Sequence, residues 1–468
     1  MSTRPSGRHA QVSLILGLAA AITVAIALLP GHRGWFDVGV YHGAVNHWLH
    51  DRGQLYDYVR PGTDYGFTYP PFAALCMLPM AWLGWHPTIA VNVAVTALAA
   101  ALVLWLLVDP IARREGWHRG FAFALAACLF AMLGPVRDTV SFGQVNLVLL
   151  ALVYADAWLL DRGHRLAGIG TGIAAAVKLT PAIFIGYLVV TRRWRAAATA
   201  VVTGAAATLL AGLVDPEASR KYFGQALWDT GRVGALDYVS NQSLLGLVAR
   251  WNPAHPDRLV WIVLVAVVLV VWAHRSRQAA RRGDDRAGFA LTGVAGCLVS
   301  PVTWVHHLVW LVPALVVLAD SALLRRSAGA AAPGLSPYAP PSPGGAARRA
   351  WCWWSGAYLL LCGSVVWLWS VDHSGVVGFL GSNSYVLLAL AMLVFLPVAT
   401  AAGIEAVGER PAAVRLTLDL VEARASAVPH RPTQGSGRWS RVPTARWRAS
   451  PRRSSGDGPG VPGRRGSG

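Results

Sequence analysis

Asp37 is the first residue that needs a chemical account. It stands in GWFDVGVYHGAVNHWL, residues 34–49, just after an apolar run that closes at Pro30. The 31–70 stretch also holds Tyr41, His42, His47, Asp51, Asp57, Arg60 and Asp64, and leads into FTYPPF, which contains Tyr69. A positioned carboxylate can take the proton of a hydroxyl as general base. Further along, Arg137, Asp138, Gln144 and Asn146 lie in GPVRDTVSFGQVNLVLL, and Lys178 lies in AAAVKLTPAIF. Asn241 belongs to SNQSLLGL, and His306 and His307 to SPVTWVHHLVWLVP. Arginine, lysine and protonated histidine are the side chains that hold a phosphate and stabilise charge developing on it. One base with several cations fits transfer of a sugar from a lipid phosphate. The phosphate leaves without a proton, so one carboxylate is enough.

Each of these residues also has a plainer reading. A lysine near a helix end can snorkel to the membrane surface, although an intramembrane charge is a functional candidate by default. A histidine pair at a helix end is more often structural than a metal site, and no carboxylate stands at ligand spacing to it. Tyr41, Tyr69 and the other outer-loop aromatics can stack on sugars, but Trp and Tyr also gather at membrane interfaces for amphipathic reasons.

The elements that must position these groups are membrane helices. Of 468 residues, 54% are hydrophobic and only 14% charged, more apolar surface than a water-soluble chain can hide. Runs of about 20 apolar residues cross a hydrocarbon core about 30 Å thick. They lie near 11–30, 71–84, 88–108, 120–134, 143–160, 166–190, 195–214, 258–273, 287–299, 304–320, 350–370 and 384–402. The expected fold is therefore an all-α polytopic membrane protein with about 12 transmembrane helices, the short runs being tilted, broken or re-entrant. The five cysteines sit in or beside apolar runs, without disulfide or zinc spacing. The net charge of +18 does not point to nucleic acid, because the arginines fall between apolar runs and in the tail. Anionic membrane lipids are their expected partner.

Lys and Arg in short loops place 1–10, TRRWR at 191–195, the 274–286 loop and a 321–349 linker on the cytoplasmic side. Residues 31–70 and 215–257 then form two large extracytoplasmic loops within an 11–404 catalytic domain, followed by a disordered basic tail over 405–468. The basic loop 109–119 admits two arrangements. Simple counting puts it outside. If 71–108 crosses only once, the loop moves inside and 166–190 must turn back at KLTP. Both arrangements leave Asp37 outside.

The motifs FDVGVYHGAV, GQLYDY, FTYPPFAAL, FGQVNLVLLAL, GIAAAVKLTP, SNQSLLGL and SPVTWVHHLVWLVP, in this order from about residue 10 to residue 400, resemble the family 87 glycosyltransferases. These are GT-C-type α-1,2-mannosyltransferases that use polyprenyl-phosphate-mannose as donor and glycolipids or lipoglycans as acceptors. The resemblance implies Asp37 as catalytic base, and His306 or His307 at the active site. It implies substrate-binding roles for Gln144, Asn146, Lys178 and Asn241, beside the candidates Tyr41, Tyr69 and Arg137. A β-linked donor displaced once in line would give an α-linked product. The D-x-D motif of metal-dependent glycosyltransferases is absent, Asp284-Asp285 lying in a basic loop, so neither metal nor cofactor is expected. Two alternatives stay open: transfer of another sugar, and transport of a lipid-linked sugar without chemistry, against which no repeat of hydropathy between the halves is found.

Overall fold

The computed structural model describes residues 5–28, 31–330, 343–372 and 374–399. The 405–468 tail and residues 331–342 of the linker lie outside them. The described residues fall in one compact unit and fold as helices joined by turns.

Among the described residues, five helices are long and apolar enough to cross a membrane: His9–Leu28, Trp85–Arg114, Trp194–Val214, Arg258–Arg281 and Val305–Arg326. Two bent pairs raise the number to seven where each pair counts as one span, Arg119–Met132 with Gly134–Phe142 (76°) and Gly375–Ser382 with Ser384–Phe395 (62°). The apolar runs expected from sequence outnumber these spans because several of them break. The 71–84 run is a short helix, Pro71–Met77, followed by a single 3-10 turn, Leu78–Trp82. The 166–190 run breaks at Lys178, whose backbone is extended (φ −150°, ψ 133°), and Pro181 opens the next short turn. Proline has no N–H to continue a helical ladder, so a break there is expected.

The break reverses the chain. A Cβ on Gly168 would meet the Ala196 carbonyl, and one on Gly172 would meet the Ala200 carbonyl at 2.5 Å and Gly204. The order is the same in both helices, so Ile169–Val177 and Trp194–Val214 run parallel, with glycine letting their backbones touch. Two parallel helices this close in sequence require the chain between them to turn back, which it does at KLTP.

Ion pairs and backbone captures gather at the far end of the long helices. Arg114 pairs with Asp320 at 2.5 Å, Arg119 with Asp109 at 2.5 Å, and Arg193 with Asp285 at 2.8 Å. Arg275 holds the carbonyls of Leu393 and Val394. The loop 109–119 therefore lies at the end of the helices away from Asp37, the second of the two arrangements.

At the opposite end, 31–70 and 215–257 fold against each other. The Trp48 indole donates to Asp215 at 2.8 Å, Gln54 donates to Glu217 at 2.6 Å, and Lys221 pairs with Asp57. Tyr56 stacks on Tyr222 with ring centroids 5.6 Å apart, and Tyr56 and Phe67 are fully buried. This buried aromatic core makes 31–70 a packed cap. Helix Phe36–Leu49 is its main element.

Candidate active site

Asp37 occupies the first turn of Phe36–Leu49, where the helix dipole favours an anion. The chain enters through a tight turn with both Gly34 (φ 60°) and Trp35 (φ 54°) left-handed. A non-glycine residue in that conformation costs about 1–2 kcal/mol. The Trp35 N–H, donating to the Ser141 carbonyl at 3.0 Å, helps hold it there. The Arg60 guanidinium donates to the Phe36 carbonyl and stacks over the Phe36 ring at 4.5 Å.

Opposite stands the FGQVN turn. Gly143 has φ 73°, and a Cβ there would strike the Val38 side chain. Only glycine lets the two segments close. The closure brings the Gln144 amide to the Asp37 carboxylate, Nε2 donating to Oδ2 at 2.7 Å. No described residue hydrogen-bonds Oδ1, and Asp37 keeps partial solvent access.

From Gln144 a buried network runs inward. The Tyr69 hydroxyl donates to Gln144 Oε1 at 2.7 Å and accepts from Tyr41 at 3.0 Å. Lys178 Nζ lies 3.3 Å from the Tyr69 oxygen, 2.9 Å from Asn146 Oδ1 and 2.8 Å from His307 Nε2. Asn146 Nδ2 donates to the His306 carbonyl at 3.2 Å, and Thr139 donates to the same carbonyl at 3.0 Å. The helix break at KLTP is what lets Lys178 turn into this network rather than along a helix face.

Burial pushes the Asp37 carboxyl up to about 6, opposed by the Gln144 hydrogen bond and by Lys178 and Arg60 in their charged forms. Burial also raises the Tyr41 and Tyr69 hydroxyls, which stay protonated as donors. A carboxylate that titrates near neutrality suits a general base.

The structure thus brings Asp37, Tyr41, Tyr69, Gln144, Asn146, Lys178 and His307 into one connected cluster. His306 stacks edge-on against His307, with centroids 4.6 Å apart, and lies beside Phe142; its Nε2 has no hydrogen-bond partner among the described residues. Arg137 and Asn241 stand apart from the cluster. Arg137 donates to the Cys362 carbonyl and Ser364, beside an Asp138–Arg33 pair at 3.8 Å. Asn241 is fully buried and committed to backbone: Oδ1 accepts from Thr303 N–H at 2.9 Å, and Nδ2 donates to the Leu236 carbonyl at 2.9 Å. It fastens SNQS to the SPVTWVHH strand of chain and presents nothing to a substrate.

Two further arginines escaped sequence reasoning. Arg33 precedes Asp37 by four residues, and its guanidinium lies 4.7 Å from the Trp367 ring centroid. Arg250 is buried and donates to Asn383 and to the Tyr238 and Asn241 carbonyls. The signal for Arg250 was faint: one arginine inside an amphipathic turn.

An apolar cavity of about 350 Å³ adjoins the cluster, lined by Pro70, Ala175, Ala176, Leu179, Ala205 and Phe223 among others. Pro70 follows Tyr69 in the chain and Leu179 follows Lys178, so the cavity and the polar network share a wall.

Residues 67–301 match the profile of Glycosyltransferase family 87. The chain is 34% identical to a polyprenol-phosphate-mannose-dependent alpha-(1-2)-phosphatidylinositol mannoside mannosyltransferase of Mycolicibacterium smegmatis, over 70% of this chain and 81% of that one. It is 31% identical to a protein of the same description from Mycobacterium tuberculosis, over 64% of this chain and 74% of that one. A phosphatidylinositol pentamannoside mannosyltransferase of Mycobacterium tuberculosis is 33% identical, over 69% and 76%. No solved structure matches.

Proposed function

This chain belongs to glycosyltransferase family 87, and we propose that it moves mannose from polyprenyl-phosphate-mannose to a phosphatidylinositol-mannoside acceptor in α-1,2 linkage. The observation that carries this reading is the divided Asp37 carboxylate. Oδ2 is fixed by Gln144, while Oδ1 is left for the acceptor hydroxyl. Lys178 and His307 stand across Tyr69 on the side where the donor phosphate would leave.

The step is a single in-line displacement. The acceptor oxygen gives its proton to Asp37 Oδ1 and bonds to the anomeric carbon. The bond from that carbon to the phosphate oxygen breaks, and its electron pair stays on the phosphate. A β-linked donor becomes an α-linked product. One base performs it, and no covalent glycosyl-enzyme is needed, unlike the two-carboxylate arrangement of retaining glycosidases.

The polyprenyl tail of the donor fits the apolar cavity at Pro70 and Leu179, which opens beside Lys178. That arrangement leaves the tail in lipid while the sugar phosphate meets the polar network. Loops 109–119, 191–195 and 274–286 are the basic ones, and their ion pairs cluster at the end away from Asp37. By the positive-inside rule that end is cytoplasmic, so Asp37 works at the extracytoplasmic face of the cell membrane.

The test uses the full chain in lipid nanodiscs with radiolabelled polyprenyl-phosphate-mannose and a phosphatidylinositol-mannoside acceptor. An α-1,2-linked mannosyl product is expected by mass and linkage determination. Movement of labelled donor across proteoliposomes with no new glycosidic bond would establish a transporter instead.

A further inference from the structure

The hydrogen bonds around Lys178 permit a count of protons. Its nitrogen faces three partners: the Tyr69 hydroxyl oxygen, Asn146 Oδ1 and His307 Nε2. Asn146 Oδ1 is an acceptor, because the Nδ2 end of that amide donates to the His306 carbonyl. Tyr69 uses its only proton on Gln144 Oε1, so toward Lys178 it also accepts. These two partners each require a lysine N–H.

His307 requires the opposite. Its Nδ1 receives the Trp304 backbone N–H at 3.1 Å, so that nitrogen carries no proton. A neutral imidazole has one N–H, which then sits on Nε2 and points at the lysine nitrogen. A charged ammonium has three N–H groups and no lone pair to receive it. A neutral amine has two N–H groups and one lone pair, which matches two acceptors and one donor. The charged alternative puts the imidazole proton on Nδ1, against the Trp304 N–H, with only the nearby Val302 carbonyl to take it. That carbonyl already accepts from the Ser300 hydroxyl at 2.9 Å, and the Trp304 N–H would be left facing a second donor. Beyond this contact shell, Asp37 and Cys297 are the titratable groups that face Lys178, together with His306 behind His307.

We infer that Lys178 stands as a neutral amine in the empty site and takes up one proton when the anionic donor binds. The inference rests on the donor reading above. Protonation fills the lysine lone pair and ends the bond from His307. That change frees His307 Nε2–H and one lysine N–H, two donors, for phosphate oxygens. The enzyme thus keeps no unpaired cation buried in the empty site, where it would be expensive, and acquires one when a phosphate arrives to pair with it.

Calorimetry of donor binding tests this, with the full chain in nanodiscs, polyprenyl-phosphate-mannose as titrant and no acceptor. Running it at pH 8 in two buffers of different ionisation heat counts protons, with Asp37 already ionised. Uptake of about one proton per donor is expected, unchanged in Asp37→Asn and absent in Lys178→Arg, which binds as a permanent cation. Lys178→Met, expected to bind more weakly and without uptake, serves if the arginine variant fails to fold. Donor binding with no uptake in the wild type overturns the inference, as does uptake that survives in Lys178→Arg or vanishes in Asp37→Asn. No donor binding at all by the folded wild type would instead sink the donor reading itself.

Discussion

The Gln144 amide bridges Asp37 and Tyr69, donating to the carboxylate at 2.7 Å and accepting from the phenol at 2.7 Å. One amide thereby fixes the Asp37 rotamer and ties it to Tyr69, which Lys178 meets from the other side. An amide cannot relay a proton without isomerising, so its work is orientation, and in the proposed reaction a proton taken by Asp37 stays there until solvent removes it.

Removing the base is the plainest test. Asp37→Asn keeps the shape and the partner of Oδ2 while losing the proton acceptor. A fall of about 10²–10⁴-fold in kcat is expected, the usual contribution of a general base. Donor affinity, measured by calorimetry, should change little. A correctly inserted variant with undiminished turnover would remove Asp37 from this role.

The pH profile carries the same assignment. The Asp37 carboxyl, raised by burial to about 6, must be ionised to act, so kcat at saturating donor should rise with pH through about 6 and then level. Gln144→Glu replaces a hydrogen-bond donor with a second acid facing Asp37. Two carboxylates that share a site disfavour each other's ionisation, so the acidic limb should move to higher pH. A limb that stays in place would show that another group sets it.

Filling the apolar cavity should separate the tail from the head of the donor. Ala205 is exposed on Trp194–Val214 and lines that cavity. Ala205→Trp should raise KM for a long polyprenyl donor several-fold. A donor with a very short tail should be used as before. An equal change for both donors, or a change in acceptor KM alone, would assign the cavity to something other than the donor tail.

Arg250 should act through stability. Arg250→Met leaves the Asn383 oxygen and the Asn241 carbonyl without the donor they have in a buried place. Each orphaned acceptor costs about 1–3 kcal/mol. A clear drop in apparent Tm in detergent is expected, with loss of activity following the loss of folded protein and no selective change in donor KM.

What the sequence determined by itself is the class of protein and a short list of candidate reacting groups. Apolar runs separated by arginine-rich loops are a property of composition along the chain, and a bilayer reads them almost without tertiary help. Asp37, Lys178 and His307 were visible because a charged or titratable group in such surroundings is rare. The structure decided which of these polar groups meet. Gln144 and Asp37 are 107 positions apart, and they touch because Gly143 has no Cβ to strike Val38. Lys178 reaches Asn146 and His307 because Pro181 and an extended backbone break a run that hydropathy reads as one span. Asn241, polar and well placed by motif, turned out to spend its hydrogen bonds on backbone. Hydropathy averages over a window, whereas a hydrogen bond depends on a few tenths of an ångström between distant segments. That precision exists only once the helices have packed.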